Sequence, residues 1–219
     1  MSKAKTATKK VGRARASLAG RARSAQILRV ASKIFFKHGY AGASIDAIIA
    51  EAGGSKRDVY SEFGGKEGLF AAMVRDNLNA ALGTLAPDTD ESKSLRATLL
   101  DFGTGLAEVL MTPTGLNLYR IIVSEGTRFP ALAKLFYDSG PGLVAGRLAE
   151  VLERRRAAGE IDVADCEAAA DQFVGMIRGN LHLSVILRIR SAPKADELQA
   201  FVAKAVATFL GGIVSTRKV

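Results

Sequence analysis

Apolar residues recur along this chain at intervals of three and four, with no sustained alternation of period two. That spacing gathers them on one side of a helix and predicts an all-α protein. Ile27, Ala31, Ile34, Phe35 and His38 form one such stripe, predicting a first helix from about Arg21 to His38 that stops at Gly39. Ser44 then offers an N-cap, Asp46 suits the positive end of a helix, and Ile45, Ile48, Ile49 and Ala52 make one short face. Gly53 and Gly54 break it. Ser55 and Asp58 have capping-box spacing at the head of a third helix that reaches about Phe63. Val59 and Phe63 are expected inward, and Lys56, Arg57 and Tyr60 share another face. After Gly64 and Gly65 a fourth helix is expected from Lys66 to about Gly83, burying Leu69, Phe70, Met73, Val74 and Leu78.

Pro87 to Asp90 reads as a loop, and longer helices follow it. They are placed near 92–111, 114–124, 129–138, 141–157, 164–188 and 194–212, with breaks at Pro113, Gly126 to Pro130, Gly140-Pro141-Gly142 and Gly159. No internal repeat is visible.

Composition narrows the class. With 219 residues and 48% hydrophobic content there is ample apolar surface for a core. The single cysteine, Cys166, excludes an internal disulfide and points to a reducing compartment. No apolar run approaches the ~20 residues that span a bilayer, so a cytoplasmic protein without membrane association is expected. The net charge of +9 is concentrated at one end: residues 1–23 hold eight Lys and Arg and no acid, which leaves the remainder close to neutral. Such an arm either stays solvated or meets nucleic-acid phosphate. Residues 1–20 are expected as a disordered basic arm.

The candidate chemistry lies between residues 21 and 75. A short helix, a glycine turn and a second short helix with outward Lys, Arg and Tyr are the order of a helix-turn-helix. The second helix needs an apolar back to stay docked and donors in front to read a major groove. Arg57 can make paired hydrogen bonds to guanine, Lys56 can reach guanine or phosphate, and Tyr60 can donate to phosphate. Lys66 and Ser44, each at the start of a helix, can hold further phosphates.

Residues 24–70 resemble the DNA-binding domain of the TetR family. The resemblance rests on FFKHGY, on Ser44-Ile45 followed by Ile48-Ile49-Ala50, on Ser55-Lys56, on Tyr60 with Phe63, and on Lys66-Glu67 before Leu69-Phe70. It implies phosphate contacts at Ser44, Tyr60 and Lys66 and base reading at Ser55, Lys56 and Arg57. Two positions depart: Gly54 stands where the family often has an apolar residue, and Gly65 replaces the usual polar N-cap. The segment from Tyr119, YRIIVSEGTRFPALAKLFYDSGPG, is similar to the C-terminal domain of AefR-like members. The implied layout is a helix-turn-helix domain over 21–66 and a helical ligand-binding and dimerisation domain over 67–219. The implied function is a repressor that binds a palindromic double-stranded operator as a homodimer and is released by a small apolar or amphipathic effector.

On that reading Phe102, Leu106, Leu110, Met111, Leu118, Ile122, Phe136 and Met176 are candidates for an apolar effector pocket, with Asn117, Arg120, Glu125, Asn180 and His182 as polar groups aimed into it. Each is also an ordinary core or surface residue by its own pattern. Arg120 and Glu125 are alternatively ties between helices, and His182 a satisfied core histidine. Leu148, Val151, Phe173, Ile177 and Val185 are expected near a dimer seam, and Arg154 to Arg156 as a solvated helix end. Two distant histidines and one cysteine, without HExxH or CxxC, give no metal or cofactor site, and no nucleophile-base-acid set appears, so no enzyme is expected. The rival reading is a helical ligand- or partner-binding module without DNA contact.

Overall fold

The computed structural model describes residues 2–83 and 92–213, and side chains within 20–83 and 92–211. Among these residues every regular element is helical, and the chain forms two compact units, Met1–Val74 and Arg75–Val219. The expected Pro87–Asp90 loop lies outside the described residues.

The first unit holds α1 (Ser2–Gly42), α2 (Ile45–Ala52), α3 (Lys56–Phe63) and the first part of α4 (Lys66–Leu82). Segment 1–20, expected as a disordered arm, is corrected here: α1 is helical from Ser2. The reason is compositional. Ala, Lys and Arg lose little freedom in a helix, and no proline interrupts them. Within α1, Gly39 leaves helical geometry at φ 70° and ψ 175°, so the regular helix stops where the pattern placed its end. Ile27, Val30, Ala31, Ile34 and Phe35 are buried along one face of α1, whereas His38, counted in that stripe from sequence, is exposed. One turn past Ile34 the helix is about to end, and the next apolar group, Tyr40, takes the inward place. Phe70 meets the rings of Phe35 and Tyr40 edge-on, at 4.9 and 5.0 Å between centroids. These contacts bind the head of α4 into the first unit, so the division falls inside α4.

The second unit comprises the remainder of α4, then α5 (Leu95–Met111), α6 (Pro113–Glu125), α7 (Pro130–Ser139), α8 (Pro141–Ala157), α9 (Cys166–Ile186) and α10 (Ala195–Ile213). Proline opens α6, α7 and α8, where a missing N–H costs nothing. Ser94, Thr112 and Asp165 cap α5, α6 and α9 through side-chain oxygens. α8 packs along α9, and α10 along α5. Leu99, Leu148, Leu152, Phe173, Val202 and Val206 are fully buried between them. No described helix is long and apolar enough to cross a membrane.

Two features of this unit differ from expectation. α9 is interrupted at Gly179 (φ 34°, ψ −169°), with Phe201 packed close against that glycine. And Arg154 to Arg156 do not form a purely solvated end. Arg155 is only 12% exposed, pairs with Glu160 at 2.9 Å and donates to the Lys93 carbonyl at 2.6 Å. Arg156 donates to the Ala164 carbonyl at 3.1 Å. These forks tie the end of α8 to segments on both sides of it.

Candidate nucleic-acid interface and effector cavity

α2 and α3 are each started by a serine. Ser44 Oγ accepts from the Ala47 N–H at 3.1 Å. Ser55 Oγ accepts from the Asp58 N–H at 3.2 Å, and Asp58 returns a bond from the Ser55 N–H at 2.9 Å, completing a capping box. Both hydroxyls therefore serve the backbone through an oxygen lone pair and keep a proton to donate. The turn between these helices needs a glycine. Gly54 has φ +101°, and a Cβ there would stand 3.3 Å from Asp58 Oδ2. An apolar residue at this place would strain the capping box, which explains the departure noted from sequence.

α3 is held from behind by Val59, which is fully buried, at a gain of about 2 kcal/mol. Phe63, expected inward, is half-buried, because α3 ends there. Lys56, Arg57 and Tyr60 are exposed together. Lys56 Nζ lies 2.8 Å from Asp46 Oδ1, and this carboxylate holds the ammonium's pKa above its ordinary value. Arg57 has no hydrogen-bond or ion-pair partner among the described residues. Tyr60 is 58% exposed, with one ring edge against Gly65. Lys66 is half-buried. Its Nζ donates to the Ala41 carbonyl at 3.2 Å and sits 4.7 Å from the Tyr40 ring centroid. So of the six residues singled out, Ser44 and Ser55 cap α2 and α3, Lys56, Arg57 and Tyr60 lie in α3, and Lys66 opens α4.

The second unit contains an almost wholly apolar cavity of about 70 Å³. Its walls come from α4 (Asn77, Leu78, Ala81, Leu82), α5 (Leu106, Val109, Leu110), α6 (Thr114, Gly115, Leu118, Tyr119), α7 and α8 (Phe136, Pro141, Val144) and α9 (Val174, Arg178). Of the candidates from sequence, Leu106, Leu110, Leu118 and Phe136 line it. Phe102, Met111, Asn117, Arg120, Ile122, Glu125, Met176, Asn180 and His182 do not. Phe102 and Met176 pack on the main core instead, and Ile122 is buried. Asn117 Oδ1 accepts from Arg120 at 3.3 Å. Asn180 is exposed, because the break at Gly179 resets the helical phase just before it. Sequence reasoning missed the α4 wall, Tyr119 and Arg178. A lone cation inside the apolar run Phe173–Leu187 was the available signal for Arg178.

Beside the cavity, Arg120 acts as a tie between helices. It donates to the Ile186 carbonyl at 3.0 Å and the Val185 carbonyl at 2.9 Å, closing the end of α9. His182 is buried, its ring edge-on to Tyr119 at 5.0 Å, and its Nε2 has no hydrogen-bond partner. The sequence expectation of a satisfied core histidine is corrected to a buried but unsatisfied one. Burial first, then the guanidiniums of Arg178 and Arg120, push its pKa down to about 4. Cys166 is buried, and desolvation raises its thiol pKa, so it is a poor nucleophile. No group of three or more potential metal-ligating side chains occurs among the described residues.

A helix-turn-helix unit followed by a larger helical unit with an apolar cavity defines a class of DNA-binding regulatory proteins. Residues 27–73 match the model for bacterial regulatory proteins of the tetR family, and residues 97–212 match the C-terminal domain of AefR-like transcriptional repressors. The chain belongs to the TetR family of transcriptional regulators, and is not an enzyme. It is similar to the flavonoid-responsive regulator FrrA: 31% identity, TM-score 0.78, covering 90% of this chain and 98% of that one. A TetR-family regulator from Mesorhizobium loti MAFF303099 is 25% identical with a TM-score of 0.74, covering 90% and 98%. The HTH-type transcriptional repressor SCO4008 of Streptomyces coelicolor is 34% identical over 89 residues, 41% of this chain and 46% of that protein. The chain thus matches less than half the length of that relative.

Proposed function

We propose that this regulator is a repressor that binds a palindromic operator as a homodimer and leaves it when a small apolar or amphipathic effector enters the second unit. The observation that carries the DNA reading is α3 itself, with Val59 buried behind and Lys56, Arg57 and Tyr60 exposed in front. Arg57, without a partner, is the base reader. Lys66, Tyr60 and Ser44 hold phosphates, and Ser55 and Lys56 complete the reading edge. A two-fold dimer sets two such helices about 34–36 Å apart, one turn of DNA.

The effector reading rests on the cavity. An apolar cavity of ~150 Å³ accepts benzene, and this one, at about 70 Å³, must widen to admit even a small ring. Leu78 and Leu82 form part of its wall and belong to α4, the helix whose other end carries Lys66. Widening displaces α4 and thereby favours a conformer with the wrong spacing of reading helices. The effector releases DNA only because it binds that conformer better. A planar aromatic molecule, of the broad kind named for FrrA, suits walls that include Tyr119 and Phe136.

For the dimer reading, the five residues expected near or in the seam from sequence offer no exposed surface of their own. Leu148, Val151, Phe173, Ile177 and Val185 are all buried within the protomer. Leu183 and Leu187, one helical turn apart and 48% and 59% exposed, are better placed.

The test is selection of bound DNA fragments followed by titration of variants on the selected site. Arg57→Ala should cost ~1–3 kcal/mol at one base pair and relax choice there. Lys66→Ala should weaken binding to all sequences and flatten the log–log salt slope by about 0.9. Unchanged binding in both variants would remove the interface assignment.

A further inference from the structure

Arg178 is the one charged side chain among the described residues that line the cavity. It is half-buried, and it has no hydrogen-bond or ion-pair partner among the described residues. Its surroundings add no compensation. The other groups described as acting electrostatically at this place are Arg120, whose guanidinium is committed to the carbonyls at the end of α9, and the buried, uncharged His182. The remaining wall is hydrocarbon and aromatic ring, with Thr114, Asn77 and the Tyr119 hydroxyl as its neutral polar groups.

We infer that the effector is an amphipathic anion whose carboxylate, or an equivalent oxyanion, pairs with Arg178 while its apolar body fills the space between α4, α5 and α8. The inference rests on the reading of this cavity as the effector site. The physics is selective. A planar guanidinium presents two parallel N–H donors that match a carboxylate, and the pair strengthens as water leaves an apolar cleft. A neutral ligand that closes the cleft strips water from Arg178 and returns nothing for it. A cationic ligand adds repulsion. The competing arrangement is that Arg178 keeps its head in water while its stem covers the wall, in which case the charge on the ligand is irrelevant.

The experiment uses the full chain and two scaffolds, octyl and 2-naphthyl, each carrying a carboxylate, a carboxamide or an ammonium group. Binding is measured by calorimetry and by the shift in melting temperature. In the unsubstituted protein the carboxylates should bind at least tenfold more tightly than their carboxamides, and the ammonium compounds least. In Arg178→Gln that preference should collapse to within about twofold, and Arg178→Lys should retain part of it. Equal affinity for acid and amide, or a preference that survives in Arg178→Gln, overturns the inference. Leu110→Phe, and Ala81→Leu as a second variant should the first fail to fold, fill the cavity. If amides bind as well as acids and filling abolishes both, the cavity stands as the effector site and only the anion is wrong. If no compound binds, or binding is indifferent to filling, the effector reading falls and this inference falls with it.

Discussion

Lys56 shows how one residue can be both presented and restrained. Its ammonium is exposed beside the reading edge, yet Asp46 holds it at 2.8 Å in the free protein. An exposed pair of this kind is worth little to stability, so its effect falls on binding. DNA must break the pair, and the carboxylate then faces phosphate. Asp46→Asn should therefore tighten binding a few-fold on any sequence and steepen the salt dependence by up to one phosphate contact, read by fluorescence anisotropy at several salt concentrations. His182 is the second residue whose state is decided by its surroundings. Its folded pKa of about 4 lies below the ordinary 6.5. Between those values the unfolded chain binds the extra proton, so stability falls as the pH drops through this window and is fully present above it. The loss by pH 4 is roughly 3 kcal/mol. Other carboxylates titrate in the same range, so the contribution is isolated by comparison. His182→Phe should lose less stability than the unsubstituted protein between pH 6.5 and 4, measured by urea unfolding.

At the level of elements, the head of α4 determines where α3 sits. A Cβ at Gly68 would fall 1.6 Å from the Phe63 carbonyl oxygen, a backbone atom at the end of α3. Glycine lets the two helices approach, and Lys66 fastens the same corner to the end of α1 through the Ala41 carbonyl. Gly68→Ala should push α3 outward, cost about 1–3 kcal/mol by overpacking, and weaken operator binding by more than the unfolded fraction accounts for. Calorimetric melting and anisotropy on the same preparation separate the two effects. The break in α9 at Gly179 is the corresponding feature of the second unit. It leaves Arg178 on the cavity wall, turns Asn180 to solvent and places His182 inside.

For the molecule as a whole, the proposed repressor works only as a pair. Exposed Leu183 near the end of α9 and Leu187 just after it are one helical turn apart, and Ile189 follows at 74% exposure. A double substitution of Leu183 and Leu187 by Glu should leave the helical content intact, shift sedimentation toward the monomer, and reduce operator affinity steeply because the two half-sites are no longer linked. A dimer that persists with both glutamates in place would relocate the seam.

Much of this protein was readable from its residues in order. The short period of the apolar pattern, the caps at Ser44 and Ser55, and the prolines at 113, 130 and 141 act over one helical turn, so the helix-turn-helix and most helix ends follow from neighbours in the chain. The reading edge was legible for the same reason: Lys56, Arg57 and Tyr60 share a helix whose other face carries Val59. The cavity was not. Its walls are drawn from six helices spread between residues 77 and 178, and a leucine that lines a void has the same pattern as one that fills a core. Whether Asn180 or His182 faces inward depends on a single break in α9, and whether Leu148 of α8 or Leu183 of α9 meets a partner depends on which faces of those two helices the protomer has already covered. Those outcomes come from side chains far apart in the chain competing for the same volume, a competition that periodicity along one helix does not record.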